Sequence, residues 1–180
     1  MLQKHIGTLP IVAEDLGIIT PEVTALRKKF NLPGMSVLQF GFDAFEDNPH
    51  KPQNIVSDKV VYTGTHDNDT TRGWYESLAP DVQVQVRERL GVESSADNEP
   101  ACVDIVVDKM IVMAMQTQAS LCMIPMQDIL HLDSSARMNV PGTIDTNWEW
   151  AFEWQQLERV SVVNLRQLIE KSDRLVDYDI

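Results

Sequence analysis

The chain has 180 residues, enough for one domain with a substantial core. Its 27 acidic residues outnumber 15 basic ones for a formal net charge of −12, which disfavours nucleic acid or an anionic membrane as a main partner, since both require a basic face. No uncharged stretch is long enough to span a bilayer, and no basic-then-apolar leader opens the sequence, so a soluble cytoplasmic protein is expected, with Cys102 and Cys122 as buried free thiols.

Residues 1–7 carry no organised pattern. Leu9, Pro10, Ile11, Val12 and Ala13 predict a first strand, buried on both faces and ending at Glu14 and Asp15. A helix start follows, with Thr20 as N-cap, Pro21 in the first position and Glu22 in the first turn. Val23, Leu26 and Phe30 recur at helical spacing, and Arg27, Lys28 and Lys29 are expected on the exposed side. Residues 35–42, MSVLQFGF, read as a second strand and 43–57 as a long surface loop. A third strand is expected over 60–63 and a helix over 70–78. Residues 80–90 fit a helix opened by Pro80, although the VQVQV alternation argues for a strand.

After a loop over 94–100, residues 101–119 form the longest helical candidate, with Ile105, Val106, Met110, Met113 and Ala114 as its apolar surface. A fourth buried strand is expected at 121–125, and a terminal helix over 160–171 packs through Val160, Val163, Leu165 and Leu168. Trp74, Trp148, Trp150 and Trp154 default to core or interface packing. His5, His50 and His131 show no evident partner. Strands separated by helical segments imply an α/β fold of parallel strands with right-handed crossovers. Ionisable residues follow the strands, where a (β/α) barrel keeps its chemistry. Four strands cannot close such a barrel, so residues 1–180 read as one incomplete domain, the C-terminal half of something larger.

Two stretches carry the candidate chemistry. In LPIVAEDLG (9–17), Glu14 stands at a strand end, either as a cap or ion-pair partner or as a general acid; Asp15 points to the other side and reads as structural. In VVYTGTHDNDTT (60–71), the run His66-Asp67-Asn68-Asp69 admits three readings. It is a turn whose Asp and Asn bond their own backbone, a metal site of His66, Asp67 and Asp69 serving a hydrolase, or a pair, His66 and Asp67, that holds vicinal sugar hydroxyls. In the third reading Glu14 and Asp67 face each other across a sugar pocket.

AEDLGIITPEV (13–23), LPGMSVLQFGF (32–42), YTGTHDNDTTRGWY (62–75), IPMQDIL (124–130) and ARMNVPGT (136–143) resemble, in order, the C-terminal part of the amylomaltases, the 4-α-glucanotransferase branch of the α-amylase superfamily. The resemblance implies the C-terminal half of a (β/α)8 TIM barrel that transfers α-1,4-glucan segments between malto-oligosaccharides with retention of configuration, using no metal and no organic cofactor. By the same resemblance Glu14 is the general acid/base, Asp67 the transition-state stabiliser, and His66, Asn139 and Pro141 substrate-side residues. The family's nucleophilic aspartate lies in an arginine–isoleucine–aspartate–histidine motif that this sequence lacks. The chain alone is therefore expected to be inactive, and to self-associate or bind its missing half. A non-catalytic glucan-binding remnant is the alternative from another functional class.

Overall fold

The computed structural model describes residues 11–93, 100–159 and 162–176; His5, Val160 and the first two residues of the first predicted strand, Leu9 and Pro10, lie outside them. Three parallel strands, β1 (Gly34–Val37), β2 (Lys59–Tyr62) and β3 (Leu121–Met123), form one sheet in the order β1-β2-β3. Val37 pairs with Tyr62, and Tyr62 with Met123, so the three strands end at one level and their following loops open on one side. Helices α1 (Pro21–Lys29), α2 (Thr71–Ser77), α3 (Pro80–Leu90), α4 (Pro100–Met115), α5 (Met126–Ile129) and α6 (Val162–Lys171) complete an α/β architecture.

The core lies between the sheet and α2–α4. Val103, Val106, Met110 and Ala114 repeat at helical spacing along α4 and pack with Val61 of β2, Tyr75 of α2, and Val86 and Leu90 of α3. Ile105, expected on this apolar face, is exposed. Residues 80–90 are helical despite the VQVQV alternation: Gln83, Val86, Arg87 and Leu90 are buried, a spacing only a helix puts on one side. Gly91, at φ +64°, closes α3 in the left-handed conformation that glycine adopts without steric cost.

Several expectations are corrected. Residues 11–16 form no strand: Ala13 N–H donates to Pro33 O at 2.8 Å, but Ile11 and Val12 are exposed. The second strand stops at Val37, and Leu38–Gly41 turn into a 3-10 helix. The loop over 43–57 is not merely superficial. Asn48, Lys51 and Ile55 are buried in it, and His50 Nδ1 accepts from Val37 N–H at 3.1 Å. Burial holds the His50 imidazole below its ordinary range, consistent with a neutral ring accepting that bond.

Helix α1 is turned inside out relative to expectation. Its Thr20 cap and first-position Pro21 stand as read, and Lys28 and Lys29 are exposed, but Arg27, expected on the exposed side, is buried, while Val23, Leu26 and Phe30 are exposed. The guanidinium of Arg27 reaches Leu32 O at 2.7 Å and the Asp58 carboxylate at 2.9 Å. Strand β3 is likewise no buried strand, since Leu121 is 49% and Met123 47% exposed. The reason is common to both: among the described residues nothing packs over the outer side of α1 or of β3. Cys102 is buried and Cys122 half-buried, both as free thiols, and burial pushes the Cys122 thiol up to about 11.

Candidate active site

Each strand releases its chain into the same opening. Phe40 follows β1, Gly64–Asn68 follow β2, and Ile124 and Pro125 follow β3; together with Glu14 and Pro141 they line a cleft of ≈ 660 Å³. A cleft at the carboxyl ends of parallel strands is where side chains from separate elements converge without interrupting the sheet. Glu14, His66, Asp67 and Pro141 all line it, and Asn139 reaches it by donating Nδ2–H to Asp67 Oδ1 at 2.6 Å.

The two acidic stretches divide in a consistent way. Asp15 turns inward, accepting from Met35 N–H at 2.6 Å and Lys59 Nζ at 2.7 Å, with Arg27 Nε 3.3 Å away. It lies so close to Gly34 that any side chain there would collide with the carboxylate, which explains why a glycine opens β1. Glu14, its neighbour, is exposed in the cleft, and among the described residues its carboxylate has no partner. It is not enclosed by strand walls.

In the turn after β2, Asn68 Oδ1 accepts from Thr65 N–H at 3.0 Å and from its hydroxyl at 2.8 Å. Asp69 accepts from Thr70 N–H and the Ser134 hydroxyl, both at 2.8 Å, with Arg137 Nη1 at 3.6 Å. These two residues build the turn, as the backbone-bonding reading has it, and Asp69 is not available to complete a ligand set with His66 and Asp67. Among the described residues no group of three or more His, Cys, Asp or Glu is placed to hold a metal. His66 and Asp67 project from the turn, half exposed, with His66 Nε2 3.3 Å from Asp67 Oδ1. Arg137 Nη2 donates to Asp67 O at 3.1 Å. Both side-chain contacts of Asp67 fall on Oδ1, and Oδ2 has no partner among the described residues.

The group that fixes this turn is Asp128, which the sequence reading passed over. It is 1% exposed. Its Oδ2 accepts from the Thr63 hydroxyl at 2.5 Å and the Thr71 hydroxyl at 2.7 Å, and its Oδ1 from Thr71 N–H at 2.8 Å. Thr63 immediately follows β2 and Thr71 begins α2, so one carboxylate holds both ends of the segment that carries His66 and Asp67. Burial raises the Asp128 carboxyl above the ordinary carboxylate range, and the Thr63 and Thr71 hydrogen bonds work against that rise. The available signal was an acidic residue inside the apolar run MIPMQDIL, because such a charge must find partners.

Tyr62, on the cleft wall, has its phenol raised by burial and so remains a neutral hydroxyl. Trp74 packs against the core as expected, whereas Trp148 and Trp154 are exposed. The Trp148 ring lies 5.0 Å from that of His66. His131, expected to lack a partner, sits 2.9 Å from Asp108 Oδ1 and 3.5 Å from Asp104.

Comparison with known proteins bears on this arrangement. The sequence profile of a 4-alpha-glucanotransferase family matches residues 1–157. A 4-alpha-glucanotransferase of Synechocystis sp. is 48% identical over 158 residues, covering 87% of this chain and 30% of the relative. One from Thermus thermophilus is 42% identical over 179 residues, covering 97% of this chain and 35% of the relative. Among solved structures, an amylomaltase from Streptococcus agalactiae in complex with acarbose superposes with a TM-score of 0.84 at 28% identity, over 96% of this chain and 34% of that one. The chain thus spans about a third of the length of the curated relatives it matches.

Proposed function

Since this chain belongs to the 4-alpha-glucanotransferase family, we propose that it supplies the C-terminal half of a (β/α)8 barrel that transfers α-1,4-glucan segments between malto-oligosaccharides. The observation that carries this reading is that Glu14 and Asp67 line one cleft, each with a carboxylate oxygen that has no partner among the described residues. Exposed Leu121 and Met123 on β3, and Val23, Leu26 and Phe30 on α1, support further barrel elements covering both flanks. The same surfaces would drive self-association when that half is absent.

In a retaining transfer an acid protonates the glycosidic oxygen while a carboxylate about 5–5.5 Å from it attacks the anomeric carbon. Glu14 is the acid, later the base that takes the proton of the incoming sugar hydroxyl. Asp67 holds ring hydroxyls through Oδ2 and gains strength as the ring flattens and positive charge develops. Asn139 and His66 fix Asp67 by occupying Oδ1, and Pro141 shapes the cleft wall beside them. The nucleophile comes from outside this chain, so the 180 residues alone transfer nothing. Neither a metal nor an organic cofactor takes part in these steps.

The test is glucose release from maltotriose by the completed enzyme, this chain joined to the remaining length that its relatives carry. Glu14→Gln should lower turnover by about 10³-fold or more with the fold intact, since acid–base assistance alone is worth about 10²–10⁴. Near-normal turnover in that variant refutes the assignment of Glu14. A completed enzyme with no transfer at all leaves a non-catalytic glucan-binding remnant as the better description.

A further inference from the structure

Asp67 is held by two separate groups of one short segment. Arg137 Nη2–H donates to the backbone oxygen of Asp67 at 3.1 Å, and Asn139 Nδ2–H donates to its Oδ1 at 2.6 Å. Within the turn itself the tie is longer, with Asp67 N–H reaching the Thr65 hydroxyl at 3.3 Å. The segment that carries Arg137 and Asn139 is anchored elsewhere by its own carbonyls. Gln127, a buried side chain of α5, donates Nε2–H to Ala136 O at 3.1 Å, and Trp148 N–H donates to Met138 O at 2.7 Å. Residues 136–139 are therefore tied down through Ala136 and Met138, while the side chains of Arg137 and Asn139 both turn to Asp67.

Arg137 reaches beyond Asp67. Its Nη1 lies 3.6 Å from Asp69 Oδ2, the oxygen that also accepts from the Ser134 hydroxyl at 2.8 Å. One planar guanidinium thus spans residues 67 and 69 across Asn68, a reach that the single ammonium of a lysine does not have. Gly73 makes room for this approach, since a Cβ there would collide with the Ser134 hydroxyl and the Asp69 carboxylate. The span is not free of cost. Arg137 Nε is buried and has no partner among the described residues, and a stranded donor of that kind destabilises a fold. Stability alone does not account for such a group, whereas the placement of Asp67 does.

Resting on the function proposed above, we propose that Arg137 is a positioning residue for glucan transfer: its guanidinium clasps Asp67 to Asp69, so that Asn139 meets Oδ1 and Oδ2 is left at a fixed point for the sugar ring. Arg137 itself touches no reacting atom. Asp67 contributes most once the ring has flattened and carries positive charge. An interaction realised only at that stage sets kcat and leaves KM nearly unchanged. A displaced Asp67 therefore shows as slower turnover at each intact site, not as weaker binding.

The test measures transfer from maltotriose by the completed enzyme as wild type, Arg137→Gln, Arg137→Lys and Glu14→Gln, with sites counted by calorimetric titration with maltoheptaose. Counting sites separates slower chemistry from a smaller folded fraction. Arg137→Gln should lower kcat per site about 10- to 100-fold, the order that a small misplacement costs, with KM changed less than about twofold. Arg137→Lys should stay within about threefold of the glutamine variant, because it keeps the charge and loses the span. Wild-type turnover in the lysine variant would reduce the role to charge and overturn the proposal. A raised KM at normal kcat would make Arg137 a substrate contact and overturn it too. So would unchanged kinetics in Arg137→Gln beside an impaired Glu14→Gln, a result that leaves the glucan-transfer reading standing. If Arg137→Gln does not fold, the lysine variant decides alone. A wild type that transfers nothing removes both.

Discussion

Between Thr63 and Thr71 the chain leaves a strand and enters a helix with both ends fastened to one buried carboxylate, Asp128. Between residues 11 and 17, by contrast, Asp15 and one backbone bond from Ala13 to Pro33 hold the chain against the sheet. Both segments deliver an exposed acid to the same cleft. The first is framed by β2, α2, the loop before Arg137 and the buried Asp128, and opens toward the cleft. The second lies against β1 with Ile11 and Val12 uncovered. The position of Asp67 is thus built into these 180 residues, while that of Glu14 depends on one ionic anchor and on whatever covers the outer side of β1.

Removing that anchor is the strongest way to break the contrast. Asp15→Ala leaves Lys59 and the buried Arg27 without this counter-charge, and loss of one partner of a buried ion pair costs about 3–5 kcal/mol. The expected result is a large drop in the urea midpoint, with residues 11–17 becoming the first site of proteolytic cutting. Cutting that begins instead in the 64–70 turn would show that the contrast runs the other way.

Asp128→Ala attacks the better-framed segment. It strands a buried Thr71 N–H and two buried hydroxyls, at about 3 kcal/mol in total. Asp128→Asn should cost far less, because the amide oxygen still accepts from Thr71 N–H and the two hydroxyls can rotate to accept from the amide. Equal midpoints for the two variants would show that the charge matters more than the hydrogen bonds.

The smallest effect sharpens the view of the outer frame. Arg72, next to Thr71, donates to Asp104 Oδ1 at 2.7 Å, and His131 sits between Asp104 and Asp108 on α4. The hydrogen bond to Asp108 raises the His131 imidazole above its ordinary value, so the folded chain holds that proton more tightly than the unfolded one. That stabilisation is complete below the unfolded value of about 6.5 and fades as the pH climbs through the higher folded one. His131→Gln should therefore lower the urea midpoint at pH 5.5 more than at pH 8.5, by less than about 1 kcal/mol because Asp108 is exposed. A larger loss at pH 8.5 would exclude the ion pair as its cause.

What the residues by themselves determined was local and chemical. Thr20 and Pro21 start α1, Pro80 offers a helix start for 80–90, and the apolar repeat within 101–119 gives α4 its buried face. Each follows from capping chemistry or from periodicity, which need no distant partner. Asp15 as the structural member of its pair was legible too, since adjacent side chains on an extended chain point opposite ways. Only the tertiary structure decided that α1 buries Arg27 and leaves its apolar residues exposed, that 80–90 is a helix and not a strand, that Leu121 and Met123 are exposed, and that Asp128 fastens the His66–Asp67 turn. Burial is a property of neighbours far away in sequence: Thr63 and Asp128 stand 65 positions apart. No window along the chain holds both ends of such a bond, and a sheet that meets further strands looks the same in sequence as one that stops.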